Sequence, residues 1–206
     1  MEIIFLLILS CLVSFLGSIP LGSLNLTALQ IYIVNKKSAL AFFCFASALI
    51  EFAYSFSAIN LEQTFNQIPE MKFYLQIGSS FVFFCLAIYN FFSKPKSLNS
   101  ITANKNLSNT KSFLQGIFLS LFNLQAILFW IFLSHFFRNQ FNLKISSFFE
   151  SLIFAFGVAL GTFFSLYLFA VFFSRIFSDL FKPASLNKIL GVLFFLMFLL
   201  SIRYHL

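Results

Sequence analysis

The chain has 206 residues, 60% hydrophobic and 9% charged, with a mean hydropathy of +0.95. A soluble domain carries about 25% charged residues, so this chain cannot cover a water-facing surface. It reads as an all-α polytopic membrane protein of one transmembrane domain, 1–206, with no room for a second folded unit. The net charge of +7 comes from lysines in short loops between apolar segments, which marks membrane topology and points away from nucleic acid as a partner.

A transmembrane helix needs about 20 mostly apolar residues. The pattern predicts six of them, at about Ile3–Val34, Ser38–Ile59, Phe73–Phe92, Phe113–His135, Ser147–Phe173 and Leu186–Tyr204. The first is longer than a straight span needs and is interrupted by Ser18-Ile19-Pro20-Leu21-Gly22-Ser23-Leu24-Asn25. Pro20 cannot donate a helical hydrogen bond and Gly22 relaxes the backbone further, so a helix broken at Pro20–Gly22 is expected. Non-helical backbone at membrane depth survives only where it is buried in protein or lines a watery cavity, which makes a Pro/Gly-interrupted span a pointer to a transport site. Pro20, Gly22, Ser23 and Asn25 are therefore candidate substrate-binding positions. Half-helix N-termini attract carboxylates, and an amino-acid carboxylate suits them. The alternative is a kink that serves packing alone.

In the second span Glu51 sits among Ala48-Leu49-Ile50 and Phe52-Ala53. An ionisable group in the bilayer core is costly and normally faces the bundle interior with a role. A carboxylate there suits the uptake and release of a coupling proton; the alternative is a structural carboxyl bonded to a neighbouring helix. Ser47, Tyr54 and Ser55 lie about one turn away and offer polar surroundings.

After the third span comes a linker, about 94–111, rich in Ser, Asn and Lys. It divides the chain into halves of about 1–93 and 112–206, with three spans in each. The fourth span carries Asn123-Leu124-Gln125. Asn123 and Gln125 are candidate transport residues, or amides that glue helices together in an unbroken span, since neither Pro nor Gly is present there. Each half thus opens with a segment holding a polar interruption, the mark of an internal repeat; an odd number of spans per half makes it a 3+3 inverted repeat. In the fifth span Gly157 and Gly161 have small-xxx-small spacing and are read as helix-packing positions, within the bundle or between protomers of a homo-oligomer.

One set of connections carries Lys36, Lys37, Lys94, Lys96, Lys105, Lys111, Arg175, Lys182 and Lys188; the opposite set carries Lys72, Arg138, Lys144 and Arg203. The richer side is expected to be cytoplasmic, which places the linker inside and both termini on the outer face. Cys11, Cys44 and Cys85 lie singly in apolar runs, and neither His135 nor His205 has a neighbour at metal-ligand spacing. No metal site or cofactor is expected. No phosphate loop, nucleophile elbow or carboxylate pair is present, so no enzyme is expected.

These features together resemble the LysE/RhtB-type amino-acid exporters. That family carries a Pro-Gly-Pro motif followed closely by Asn in its first span, an acidic residue in its second and Asn-Pro-Lys-Ala in its fourth. The corresponding residues are Ile19-Pro20-Leu21-Gly22-Ser23-Leu24-Asn25-Leu26, then Glu51, then Gly116 followed by Asn123-Leu124-Gln125-Ala126. Arg175 stands where the family often has a basic residue. Here Pro20 stands one place early, Leu21 and Ser23 replace the flanking prolines, and Leu124 and Gln125 replace Pro and Lys. The resemblance implies a secondary exporter of amino acids or similar small metabolites, proton-coupled, in the bacterial cytoplasmic membrane. Two alternatives stand beside it. One is a non-transporting membrane partner or degenerate exporter. The other is a thiol electron carrier of the CcdA/DsbD kind, for which the fourth span lacks a cysteine.

Overall fold

A computed structural model of the chain describes residues 3–19, 23–33, 37–92, 108–123, 125–143 and 145–176, together with 188, 191–192 and 194–200. Every regular element among the described residues is an α-helix. They are α1 (Ile3–Gly17), α2 (Ser23–Ile33), α3 (Lys37–Asn66), α4 (Pro69–Phe92), α5 (Asn109–Leu121), α6 (Gln125–Phe141) and α7 (Phe148–Ile176).

The segment expected as one interrupted span is occupied by α1 and α2. At the end of α1, Ser18 N–H bonds Ser14 O at 3.0 Å and Ile19 N–H bonds Leu16 O at 3.3 Å. The second bond is the tighter i−3 type that closes helix ends. The next residue is Pro20, which disfavours helical backbone at the residue before it. Pro20, Leu21 and Gly22 themselves lie outside the described residues.

α3 runs past the expected end at Ile59 to Asn66, 30 residues and about 45 Å. Its last two turns are polar, yet the polar groups bond back onto the helix. Asn60 Nδ2 donates to Phe56 O at 2.7 Å, Thr64 Oγ1 to Asn60 O at 2.9 Å, and Asn66 Nδ2 to Glu62 O at 3.1 Å. Gln63 Nε2 donates instead to Ile145 O at 2.8 Å, tying α3 to the segment before α7.

The expected fourth span, 113–135, is two helices, α5 and α6, bent by 60° at the break between them. Helical bonding stops at Asn123. Its N–H closes a short turn onto Ser120 O at 3.0 Å, while its carbonyl accepts from Ala126 N–H at 2.9 Å and so starts α6. Asn competes well for such boundary positions. Further on, Asn142 turns the chain after α6 with φ of 51°, a conformation Asn tolerates better than most residues. A capping box starts α7. Ser147 Oγ accepts from Glu150 N–H at 3.1 Å, and Glu150 Oε2 accepts from Ser147 N–H at 3.0 Å.

α3 is the central helix, packed against α2, α4, α5, α6 and α7. α1 lies along α7, where Gly157 and Gly161 let the backbones approach. A Cβ on Gly157 would meet Ser10 Oγ and stand 2.7 Å from Leu7 O; one on Gly161 would meet Cys11 O and stand 2.8 Å from Ser14 Cβ. Ser14 Oγ bonds Val158 O at 2.8 Å and shares a hydrogen bond with Thr162 Oγ1 at 2.9 Å. That glycine face is thus filled by α1 of the same chain, so a homo-oligomer would use another surface. Elsewhere large side chains face outward, including Ile4, Ile8 and Leu12 of α1, Phe73 and Phe81 of α4, and Phe156 and Phe164 of α7. α3 and Phe148–Phe172 are long and apolar enough to cross a membrane, and α5 with α6 forms a third span if the bent pair is taken together. Of the expected sixth span, 191–192 and 194–200 are helical; the remainder lies outside the described residues apart from residue 188.

Candidate transport site

Glu51 projects from the middle of α3 and is 7% exposed. Its Oε2 accepts a hydrogen bond from Trp130 Nε1 at 2.9 Å. Trp130 is on the second turn of α6 and is held by edge-on contacts with Phe129 and Phe154. One turn along α3 from Glu51, Tyr54 Oη donates to Leu121 O, the last residue of α5, at 2.8 Å. The carboxylate and its neighbouring phenol therefore grip both sides of the α5–α6 break. The Tyr54 bond also satisfies one of the carbonyls that a terminating helix leaves free.

Among the other expected positions, Asn123 forms the break itself through its backbone and is half-buried. Gln125 opens α6, and its side chain lies outside the described residues. Ser55 Oγ is spent on its own helix, donating to Glu51 O at 2.8 Å. Ser47 Oγ is buried with no hydrogen-bond partner among the described residues. The same holds for Ser112 and Ser120 of α5 and Ser165 of α7. Such orphaned hydroxyls are costly to bury in a fold that never uses them.

At the first break Asn25, buried in the first turn of α2, donates through Nδ2 to Ser18 O at 2.8 Å. Its side chain bridges the Pro20–Gly22 interval and satisfies a free carbonyl at the end of α1. Ser23 begins α2 and is exposed. Pro20 and Gly22 lie outside the described residues, as do the Arg175 side chain and the whole 94–107 part of the linker. Gly17, the last residue of α1, faces α6; a Cβ there would lie 3.8 Å from the Phe129 ring, next to Trp130. The C-terminal end of α1 thus abuts α6, the helix whose Trp130 bonds Glu51.

A second buried carboxylate escaped the sequence reading. Glu62 is 1% exposed, and both its oxygens are taken by Arg138, with Nε to Oε1 and Nη2 to Oε2 each at 2.8 Å. Asn66 Nδ2 also donates to Oε1. His135 Nδ1 lies 3.6 Å from the same oxygen, and Asn139 Nδ2 and His135 Nε2 share a hydrogen bond of 2.9 Å. Arg138, counted from sequence among the loop charges, instead belongs to α6 and is paired there. The available signal was the spacing. Glu51, Ser55 and Glu62 follow one another at i, i+4 and i+11, which keeps them on one face of a helix.

A family model for the LysE type translocators matches residues 15–203. The chain belongs to the LysE type translocator family. This translocator is a multi-pass membrane protein, and the match spans Glu51, the α5–α6 break and the Glu62–Arg138 pair. No curated protein and no solved structure matched it. Family membership supports a transporter for a small molecule across a lipid bilayer.

Proposed function

We propose that this translocator is a secondary exporter of amino acids or similar small metabolites, driven by the proton gradient of the bacterial cytoplasmic membrane. The observation that carries the reading is the buried Glu51 carboxylate, held by the Trp130 indole against the α5–α6 break. A charged hydrogen bond is roughly twice as strong as a neutral one. Protonation of Glu51 therefore loosens α3 from α6, and proton release tightens them again. That is a coupling device, because the grip bears on the bent span itself.

The membrane arrangement proposed is six spans in a 3+3 inverted repeat, with halves 1–93 and 112–206, a first span broken at Pro20–Gly22, a cytoplasmic linker at 94–111 and both termini outside. Two helix starts, α2 at Ser23 and α6 at Gln125, follow breaks in the first element of each half. Their free N–H groups suit the substrate carboxylate. Asn25, Asn123, Gln125 and the orphaned hydroxyls supply polar lining, and Pro20, Gly22 and Ser23 belong to the same proposed substrate site.

The test is efflux from proteoliposomes loaded with a mixture of labelled amino acids, with and without an inward proton gradient. Gradient-dependent loss of particular amino acids is expected. No flux above empty liposomes, from protein that is folded by size-exclusion and thermal unfolding, would overturn the reading in favour of a non-transporting membrane protein.

A further inference from the structure

We infer that Glu62, Arg138 and His135 form a gate at the Asn66 end of α3, which opens by exchanging its internal ion pair for the two charged ends of a zwitterionic amino acid. The inference rests on the exporter reading for the identity of the solute and on the following geometry for the gate.

The pair joins α3 to α6, the second half of the bent span. It lies 11 residues beyond Glu51 on the same helical face, about 16 Å along the axis. Half the hydrocarbon thickness is about 15 Å. The pair therefore stands about half a hydrocarbon thickness from Glu51, on the α3–α6 seam between that carboxylate and the Asn66 end of α3.

The two partners are unequally sealed. The Glu62 side chain is 2% exposed and that of Arg138 is 21% exposed, so the guanidinium is the moving member. Opening leaves Glu62 buried without its counter-charge, which the protein cannot tolerate unless a cation replaces Arg138. An α-ammonium does so. The substrate carboxylate then takes the planar two-pronged fork that Glu62 has left on Arg138. A one-ended amine or acid satisfies half of the exchange and leaves the other charge stranded. His135 adds the second observation. It is 2% exposed, and its Nδ1 faces Glu62 Oε1 at 3.6 Å, longer than a hydrogen bond, so the ring stands beside the carboxylate that Arg138 must leave. A purely structural staple has no need of this arrangement, since a well-packed apolar pair serves as well.

The experiment reads the gate directly. In a background with Cys11, Cys44 and Cys85 replaced by Ala, Ser55→Cys places a thiol on the face between Glu51 and Glu62. Its rate of labelling by a membrane-impermeant maleimide is measured in intact cells and in inside-out vesicles. The added solutes are L-alanine, L-leucine and L-serine, against their decarboxylated amines and deaminated acids. From the side on which Glu62 lies, the amino acids are expected to accelerate labelling about tenfold and the one-ended analogues not at all. The apolar pair Glu62→Leu with Arg138→Met packs the seam shut but has no charges to exchange, so it is expected to label slowly with or without amino acid. Arg138→Lys, which keeps charge but loses the fork, is expected to respond less than the intact pair. Equal effects of amino acids and one-ended analogues would overturn the zwitterion exchange. Acceleration of the apolar pair by amino acids as large as that of the intact pair would overturn the gate. Both results are independent of flux, so a protein that gates as expected but exports nothing would refute the exporter reading alone.

Discussion

Glu51 and Glu62 are two buried carboxylates on one helix with different partners, and the difference sets what each does. Glu51 accepts one hydrogen bond from a neutral indole. Glu62 is neutralised by a guanidinium fork. Trp130→Phe keeps the ring and removes the donor, leaving a buried carboxylate short of its partner. A loss of about 1–3 kcal/mol is expected in thermal unfolding, together with a displaced pH profile of transport. A packing-only role for Trp130 would leave the pH profile in place. Arg138→Ala strands Glu62 and is expected to cost about 3–5 kcal/mol, whereas the apolar Leu/Met pair at 62 and 138 is expected to unfold near the wild-type temperature. Glu51 was legible in the sequence because it stands alone among apolar neighbours. Glu62 was not, because Asn60, Gln63, Thr64 and Asn66 surround it and make the end of α3 read as a loop. Its partner is 76 residues away, and no local pattern announces it.

At the scale of elements, Asn123 and Gln125 marked a polar interruption in the fourth span, but the sequence left open whether the helix there is broken or continuous. Nothing between Leu121 and Gln125 forbids a helix. The break there depends on Asn123 capping α6 and on Tyr54, from a different helix, satisfying Leu121 O. Tyr54→Phe removes that bond and is expected to cost about 1–3 kcal/mol in thermal unfolding; an unchanged midpoint would mean that the break is self-sufficient. The α1–α7 crossing makes a sharper prediction. Gly157→Ala drives its methyl into Ser10 Oγ and close to Leu7 O, whereas Gly161→Ala meets backbone, namely Cys11 O and, at 2.9 Å, Phe15 N. Overpacking of this kind costs about 1–3 kcal/mol. Adding Ser10→Gly is expected to recover part of the Gly157→Ala loss and none of the Gly161→Ala loss. Equal recovery in both would contradict the crossing as described. Small-xxx-small spacing announced the close approach, but which helix fills the face emerges only from the assembled bundle.

Among the described residues, a central helix with a carboxylate near its middle runs beside the bent α5–α6 pair, and phenylalanines and aliphatic side chains face outward around them. The all-helical class and the family were legible in the sequence because apolar length and the residues around Pro20, Glu51 and Asn123 are local signals. The grip of α3 on both sides of the α5–α6 break was not, since it depends on which helices touch. The central claim is that this grip makes Glu51 the coupling residue. The most direct measurement is simultaneous: internal pH and amino-acid efflux in the same proteoliposomes, for wild type and Glu51→Gln, both verified as folded. Wild type is expected to acidify its lumen in step with substrate loss under an inward proton gradient. Glu51→Gln is expected to lose both proton entry and gradient-driven efflux. Wild-type efflux with wild-type proton entry in Glu51→Gln would contradict the account.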